Sequence, residues 1–148
     1  MEGLTTNQED TNLSADTILE LLANRRRRYL LYALRGQEDP IELSKLAEQV
    51  AGWEHNLPPD EVAKNQYKSV YVSSVQCHVP KLDDSGVVDH DESNHTVVLD
   101  DNFEYLEPYL RLVVKDEPEN STLNAALQAE TGDGLITQIR ENVAKLKH

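Results

Sequence analysis

Residues 60–99 read DEVAKNQYKSVYVSSVQCHVPKLDDSGVVDHDESNHTVVL, and this stretch decides the fold. Between positions 67 and 82, apolar residues recur every three or four places, which is the pattern of a helix with one buried face. The spacing predicts a helix from about Asp60 to Asp84. A kink or a tightened last turn is expected at Pro80, because proline has no backbone N–H to donate.

A predicted β-hairpin follows this helix. Val87-Val88 and Thr96–Leu99 are rich in β-branched residues, and the polar loop from Asp89 to His95 joins them. A helix followed by a hairpin forms the second half of a winged helix-turn-helix. Ile41, predicted as a short first strand, and a helix over Glu42–Trp53 supply the first half. The predicted fold is therefore mainly α with a small β-hairpin wing.

Two further helices are predicted around this motif. Residues 14–35 carry apolar side chains at helical spacing, and Asn24 is a point where this stretch can divide into two helices. Residues 102–114 carry two apolar stripes, and such a helix needs both its own core and a second subunit as partners. The predicted homodimer interface consists of Leu19, Leu22, Phe103, Tyr105, Leu106, Tyr109, Leu110 and Val113, while Leu112 shares the second stripe.

The predicted domain organisation has three parts. Residues 1–13 are polar and turn-prone and are expected to be disordered, and residues 14–114 form the winged helix-turn-helix domain. Residues 115–148 are expected to be a linker and a weak amphipathic helix. The apolar positions of that helix run from Leu135 to Leu146, and it is a possible site for a protein partner.

The overall charge conflicts with simple DNA binding. The chain has 14 Lys and Arg against 27 Asp and Glu, a formal net charge of −13, whereas DNA-binding proteins usually show a basic footprint. Either the protein does not bind DNA, or its acidity keeps it soluble at high salt. The dispersed acids and the small number of lysines favour a halophile.

Only residues 23–35 and 62–82 are net positive, and they hold the predicted DNA-binding residues. On the face opposite the apolar stripe of the long helix, Lys64 and Lys68 are suited to phosphates, and Asn65 and Gln76 to adenine. Ser69 and Ser73 are small enough for close approach to DNA, and Val72 lies on the same face. The alternative is that this is an ordinary solvated helix face.

The run Arg25–Arg28 is expected to face largely outward, because four adjacent guanidinium groups are costly to bury together. Arg25 and Arg26 are candidates to hold the DNA backbone. A structural role is favoured for at least two of the four, through pairing with carboxylates or covering the dimer seam.

The predicted wing carries Asp89, Asp91 and Glu92, which phosphates would repel. Screening at molar salt, where the Debye length is about 3 Å, would make a wing contact tolerable. The interpretation favoured here is that the wing does not touch DNA.

Other chemistry is not indicated. The single Cys77 excludes an internal disulfide and is expected to be buried, and His78 is expected to be a hydrogen-bonded core histidine. His90, Asp91 and His95 lack a further ligand at metal spacing, so no metal or cofactor is predicted. No nucleophile–base pair or phosphate loop indicates an enzyme. Without an apolar leader or spanning segment, a cytoplasmic protein that does not contact a membrane is expected.

Four segments carry a resemblance to a known family: residues 19–29, 46–54, 70–73 and the phrase His78-Val79-Pro80-Lys81-Leu82 continuing to Val88. They resemble archaeal winged helix-turn-helix regulators of the ArsR type, and more closely an uncharacterised haloarchaeal family of small winged-helix proteins. The resemblance covers about residues 14–114 and implies this fold and a role in transcription, with no established ligand or operator.

The sequence therefore predicts a homodimeric DNA-binding transcriptional regulator from a halophilic archaeon. Its two recognition helices would enter successive major grooves of double-stranded DNA, about 34 Å apart. The alternative is a winged-helix adaptor that binds a protein and not DNA.

Overall fold

The computed structural model describes residues 13–118 and 120–131. Within them the chain forms seven α-helices and three short strands: α1 (Ala15–Leu22), α2 (Arg25–Leu34), β1 (Ile41–Glu42), α3 (Leu43–His55), α4 (Lys64–Ser73), α5 (Val79–Asp84), β2 (Val88–Asp91), β3 (Thr96–Leu99), α6 (Phe103–Val113) and α7 (Ser121–Thr131). Short 3₁₀ turns lie at Pro59–Glu61 and Val114–Asp116.

The three strands form one antiparallel sheet in the order β1-β3-β2. Ile41 lies opposite Val97 on β3, and Val88 lies opposite Leu99. Val88 and Val97 are buried against the helices. The expected first strand and hairpin are confirmed, and so is the coarse fold class, mainly helical with a small sheet. The hairpin turn is shorter than predicted, because β2 continues to Asp91.

The break at Asn24 is confirmed and has a local cause. The Asn24 side chain accepts hydrogen bonds from the backbone N–H groups of Arg26 and Arg27, and so caps α2. Helix α2 then runs through the core, where Tyr29 to Leu34 are all buried. Trp53 of α3 packs edge-on against Tyr29, with ring centroids 5.9 Å apart.

The single long helix predicted between Asp60 and Asp84 is wrong. Helix α4 begins only at Lys64, and a wider π-helical turn, Ser74–His78, separates it from α5. In that turn the N–H of Val79 donates to the carbonyl of Ser74, five residues back. Pro80 explains the wider turn, since its ring would clash with the carbonyl four residues before it.

The π-helical turn also changes which side chains face the core. Because each residue in such a turn rotates the helix by a smaller angle, Cys77 is carried to the solvent side while His78 and Val79 are buried. The expectation that Cys77 is buried is therefore wrong. The expectation that His78 is a core histidine is confirmed.

The connection from α3 to α4 is tight. Asn56 ends α3 in the left-handed conformation, with φ of 54°, and Leu57 N–H donates to the Gly52 carbonyl at 2.8 Å. A Cβ atom on Gly52 would lie only 2.7 Å from the Leu57 carbonyl oxygen. This close approach turns the chain so that α4 packs across α3.

The region after Val114 contains more structure than the predicted linker. Helix α7 packs against α3, Leu123 is buried, and the Asn120 side chain donates to the Trp53 carbonyl. The expected disordered segment and the weak helix from Leu135 to Leu146 lie outside the described residues, apart from Leu13, which packs against the core.

Candidate nucleic-acid interface

One face of α4 presents most of the predicted DNA-binding side chains to solvent. Lys64, Asn65, Lys68, Ser69 and Gln76 are exposed, and Ser73 is half-buried. Val72, in the middle of this face, is 38% exposed. Beneath them, Val70 and Ser74 are buried and attach the helix to the rest of the domain. The structure thus brings six of the eight predicted residues onto one surface.

An open groove of about 610 Å³ runs beside this face. It is lined by Arg26, Asn65, Lys68, Ser69, Val72, Ser73, Gln76 and Cys77. Lys64 and Arg25 are not part of this lining. Sequence reasoning missed Cys77, because only the wider turn after Ser73 places it there.

Arg26 is bound to the protein rather than free for a phosphate. Its Nε and Nη2 both donate to the Glu54 carboxylate, the second at 3.0 Å. Its Nη1 donates to Ser73 Oγ at 3.0 Å and to the Ser69 carbonyl at 3.3 Å. Arg26 therefore ties α4 to the end of α3, and the expectation that it is a free backbone-binding cation is wrong.

Arg27 is buried and holds the end of α1. Its Nε donates to the Leu21 carbonyl at 2.9 Å and its Nη2 to the Glu20 carbonyl at 2.8 Å. These carbonyls are among the last of α1, which have no partner within the helix. Its Nη1 lies 3.3 Å from His78 Nδ1. Burial, followed by the positive charges of Arg27 and Arg26, lowers the pKa of His78 to about 4.

Arg28 fixes the segment after α6. Its guanidinium donates to the Glu117 carboxylate and, at 2.7 Å, to the Leu22 carbonyl. Tyr32 Oη also donates to Glu117, at 2.8 Å. A structural role for at least two of the arginines is confirmed, and their largely outward orientation is wrong. Arg25 is the exposed member of the run, 6.0 Å from the Tyr29 ring centroid.

The free positive charge of the surface comes from two lysines. Lys64 and Lys68 are exposed and take part in no ion pair among the described residues, and no Asp or Glu occurs from Val62 to Leu82. By contrast, the hairpin exposes Asp89, Asp91 and Glu92. The potential of this side of the molecule therefore changes sign between α4 and the hairpin.

Asp91 has a local structural role in the hairpin turn. Its carboxylate accepts hydrogen bonds from the N–H groups of Ser93 and Asn94 and from the Asn94 side chain. The hydrogen bonds from Asn94 lower the pKa of Asp91. Across the described part of the chain, no cluster of three or more potential metal ligands occurs.

Half of the predicted dimer interface is wrong. Leu22, Phe103, Leu106 and Leu110 are buried in the protomer's own core, because α1 packs against α6 through these side chains. They offer no surface to a second copy. Of the remaining residues, Leu19 is 60% and Tyr109 is 44% exposed, while Tyr105 and Val113 are half-buried. Leu112, 60% exposed, lies on the same side of α6 as Tyr109.

No helix within residues 13–118 and 120–131 has the length and apolar character needed to span a membrane. Comparisons with curated proteins and with solved structures gave no significant match. Residues 19–98, which run from α1 through the hairpin, match a family described as a domain of unknown function (DUF7344). This match covers more than half of the chain, and the protein therefore belongs to the DUF7344 family.

Proposed function

We propose that this protein is a DNA-binding transcriptional regulator with a winged helix-turn-helix fold, acting as a homodimer. The observation that carries the proposal is the exposed pair Lys64 and Lys68 on α4, on an acid-free stretch of a chain whose net charge is −13. Cations kept together and unpaired in such an acidic protein favour a polyanionic partner.

The order of the elements supports a specific docking geometry. Helices α3 and α4, joined by the tight turn at Asn56, correspond to the helix-turn-helix, and β2 with β3 corresponds to the wing. In this class of protein, the second helix of the motif enters the major groove. Helix α4 would then contact base edges while Lys64 and Lys68 bind phosphates.

Arg26 supports this surface indirectly. Its bonds to Glu54, Ser69 and Ser73 hold the middle of α4 against the end of α3. A recognition helix fixed in this way loses little conformational freedom when it binds. Arg26 is a positioning residue in this proposal, and the phosphate-binding cations are the two lysines.

The second copy is proposed to bind through Leu19, Tyr109 and Leu112. These are large apolar side chains on neighbouring helices that remain exposed in the single chain. A two-fold axis through this surface would present two α4 helices to half-sites about 34 Å apart.

The acidic composition is proposed to reflect work at high salt, as in a halophilic archaeon. Two phosphate-binding lysines per protomer predict about four neutralised phosphates per dimer. The logarithm of the binding constant should then fall with the logarithm of salt concentration with a slope of about −3.6. This is a modest dependence compared with regulators that neutralise ten phosphates.

The test is a map of genomic DNA occupancy in the source organism at its native salt, followed by binding to the enriched fragments in vitro. The Lys64→Glu/Lys68→Glu variant should lose binding while its circular dichroism spectrum and oligomeric state stay unchanged. Lys45→Glu/Lys115→Glu makes the same charge change at exposed positions outside α4 and should bind nearly as the unchanged protein does. Equal loss in both variants, or unchanged binding in the first, would rule out α4 as the contact surface.

A second candidate function is a winged-helix adaptor that binds a protein. The exposed acids Asp89, Asp91 and Glu92 at the tip of the hairpin favour it, since they repel phosphate. An adaptor would enrich no genomic fragment. It would instead bind a basic protein, and Asp89→Asn/Glu92→Gln would weaken that complex.

A further inference from the structure

We infer that α4 selects A·T over G·C base pairs, through Val72, Asn65 and Gln76. This inference deepens the proposed DNA binding and rests on it. The sequence-specific groups of the major groove are the thymine methyl, the N6 and N7 of adenine, the O6 and N7 of guanine, and the N4 of cytosine. The exposed side chains of the groove beside α4 match the first two better than the others.

The groove holds no free arginine. Arginine is the commonest side chain to contact guanine, because its two parallel N–H groups match the O6 and N7 acceptors. In the groove described above, the arginine is Arg26, and its Nε and Nη2 are occupied by Glu54. Lys68 remains, but it lacks the planar pair of donors.

Val72 places an apolar group where a soluble helix usually has a polar one. It is 38% exposed, four residues after Lys68 and four before Gln76. A β-branched residue on an exposed helix face costs helix stability relative to Ala, Lys or Glu. Among the bases, thymine alone offers an apolar group in the major groove, its C5 methyl, so contact with that methyl gives Val72 a partner.

Asn65 and Gln76 lie on either side of Val72. Both are exposed, and neither side chain makes a hydrogen bond within the described residues. The eleven residues between them extend about 16 Å along the helix, close to five base steps of 3.4 Å. A carboxamide presents one donor and one acceptor, which complement the N7 and N6 of adenine.

The experiment uses the full chain and a library of random-sequence DNA duplexes, with all steps at one fixed salt concentration. Selection should enrich sites with A·T pairs at the centre of each half-site. Replacing the selected thymines by deoxyuridine removes only the methyl group, and should weaken binding about fourfold, the value of one buried methyl-sized group. The Val72→Ser variant should show no such loss, and its exposed position preserves the fold.

A second arm tests the carboxamides. Replacing the selected adenines by 7-deazaadenine removes the N7 acceptor and should weaken binding about fivefold for the unchanged protein, but not for Asn65→Ala/Gln76→Ala. Enriched sites with central G·C pairs, or a deoxyuridine effect that is the same in Val72→Ser, would overturn the inference while leaving DNA binding in place. A library that yields no enriched sequence would overturn the proposed function and this inference with it.

Discussion

The guanidinium of Arg26 and the carboxylate of Glu54 form a two-point ion pair between the start of α2 and the end of α3. Arg26 Nε and Nη2 each donate to one of the Glu54 oxygens, and the Glu54 side chain is only 8% exposed. The remaining nitrogen of Arg26 reaches α4 through Ser69 and Ser73. One side chain thus connects three helices.

The Arg26→Ala variant should lose stability because it leaves Glu54 without a partner in a poorly hydrated position. We expect the free energy of unfolding to fall by about 2–3 kcal/mol. Arg25→Ala removes the same charge from the exposed neighbour and should cost less than about 1 kcal/mol. Urea unfolding of both variants measures the difference, and equal losses would contradict the role assigned to Arg26.

Gly52→Ala should destabilise the protein, although replacing glycine by alanine inside a helix usually stabilises by about 1 kcal/mol. The added Cβ would lie 2.7 Å from the Leu57 carbonyl oxygen, a backbone atom that cannot move aside alone. We expect a loss of about 1–2 kcal/mol. Glu48→Ala, at an exposed position of the same helix, is the control and should change stability by less than about 0.5 kcal/mol. A Gly52→Ala variant that melts higher than the unchanged protein would show that the turn relaxes freely.

Stability should fall as the pH is lowered from 7 to 5, partly through His78. Its pKa is about 4 in the folded protein against an ordinary 6.5, so the unfolded chain takes up the proton first. This site alone should cost about 2 kcal/mol at pH 5 relative to pH 7.5. His78→Gln should flatten the dependence, while His55→Gln, on a half-exposed side chain, should leave it unchanged. Parallel pH profiles for all three proteins would contradict a neutral buried His78.

Leu112→Glu should convert the proposed dimer into a monomer without unfolding it, since Leu112 is 60% exposed in the single chain. Sedimentation at several protein concentrations measures this change, with melting temperature recorded alongside. Lys115→Glu, a nearby exposed substitution that also adds negative charge, should remain dimeric. A Leu112→Glu protein that still sediments as a dimer would place the interface elsewhere.

Local patterns in the sequence were sufficient to predict the hairpin, the short first strand and the break at Asn24. Each depends on residues within a few positions of one another, such as the Asn24 side chain and the N–H of Arg26. The exposed face of α4 was predictable for the same reason, because Lys64 to Ser73 is regular helix.

Effects that depend on distant partners were not predictable. Glu117 neutralises Arg28 from 89 positions away, and nothing near Arg28 in the chain announces it. The buried Arg27 finds its acceptors only because α1 ends where it does. The exposure of Cys77 follows from a wider turn that a fixed helical period does not represent. Helix α7 was missed because it offers few apolar positions, chiefly Leu123 and Leu127.

The contact between Asn120 and Trp53 gives the protein a built-in optical reporter. The chain has one tryptophan, which is 1% exposed, and its backbone carbonyl is held by the residue that begins the C-terminal helix. Any event that lifts this helix away would admit water near the indole, and the emission spectrum would shift to the red. Fluorescence of the unlabelled protein can therefore follow the seating of its C-terminal helix in real time.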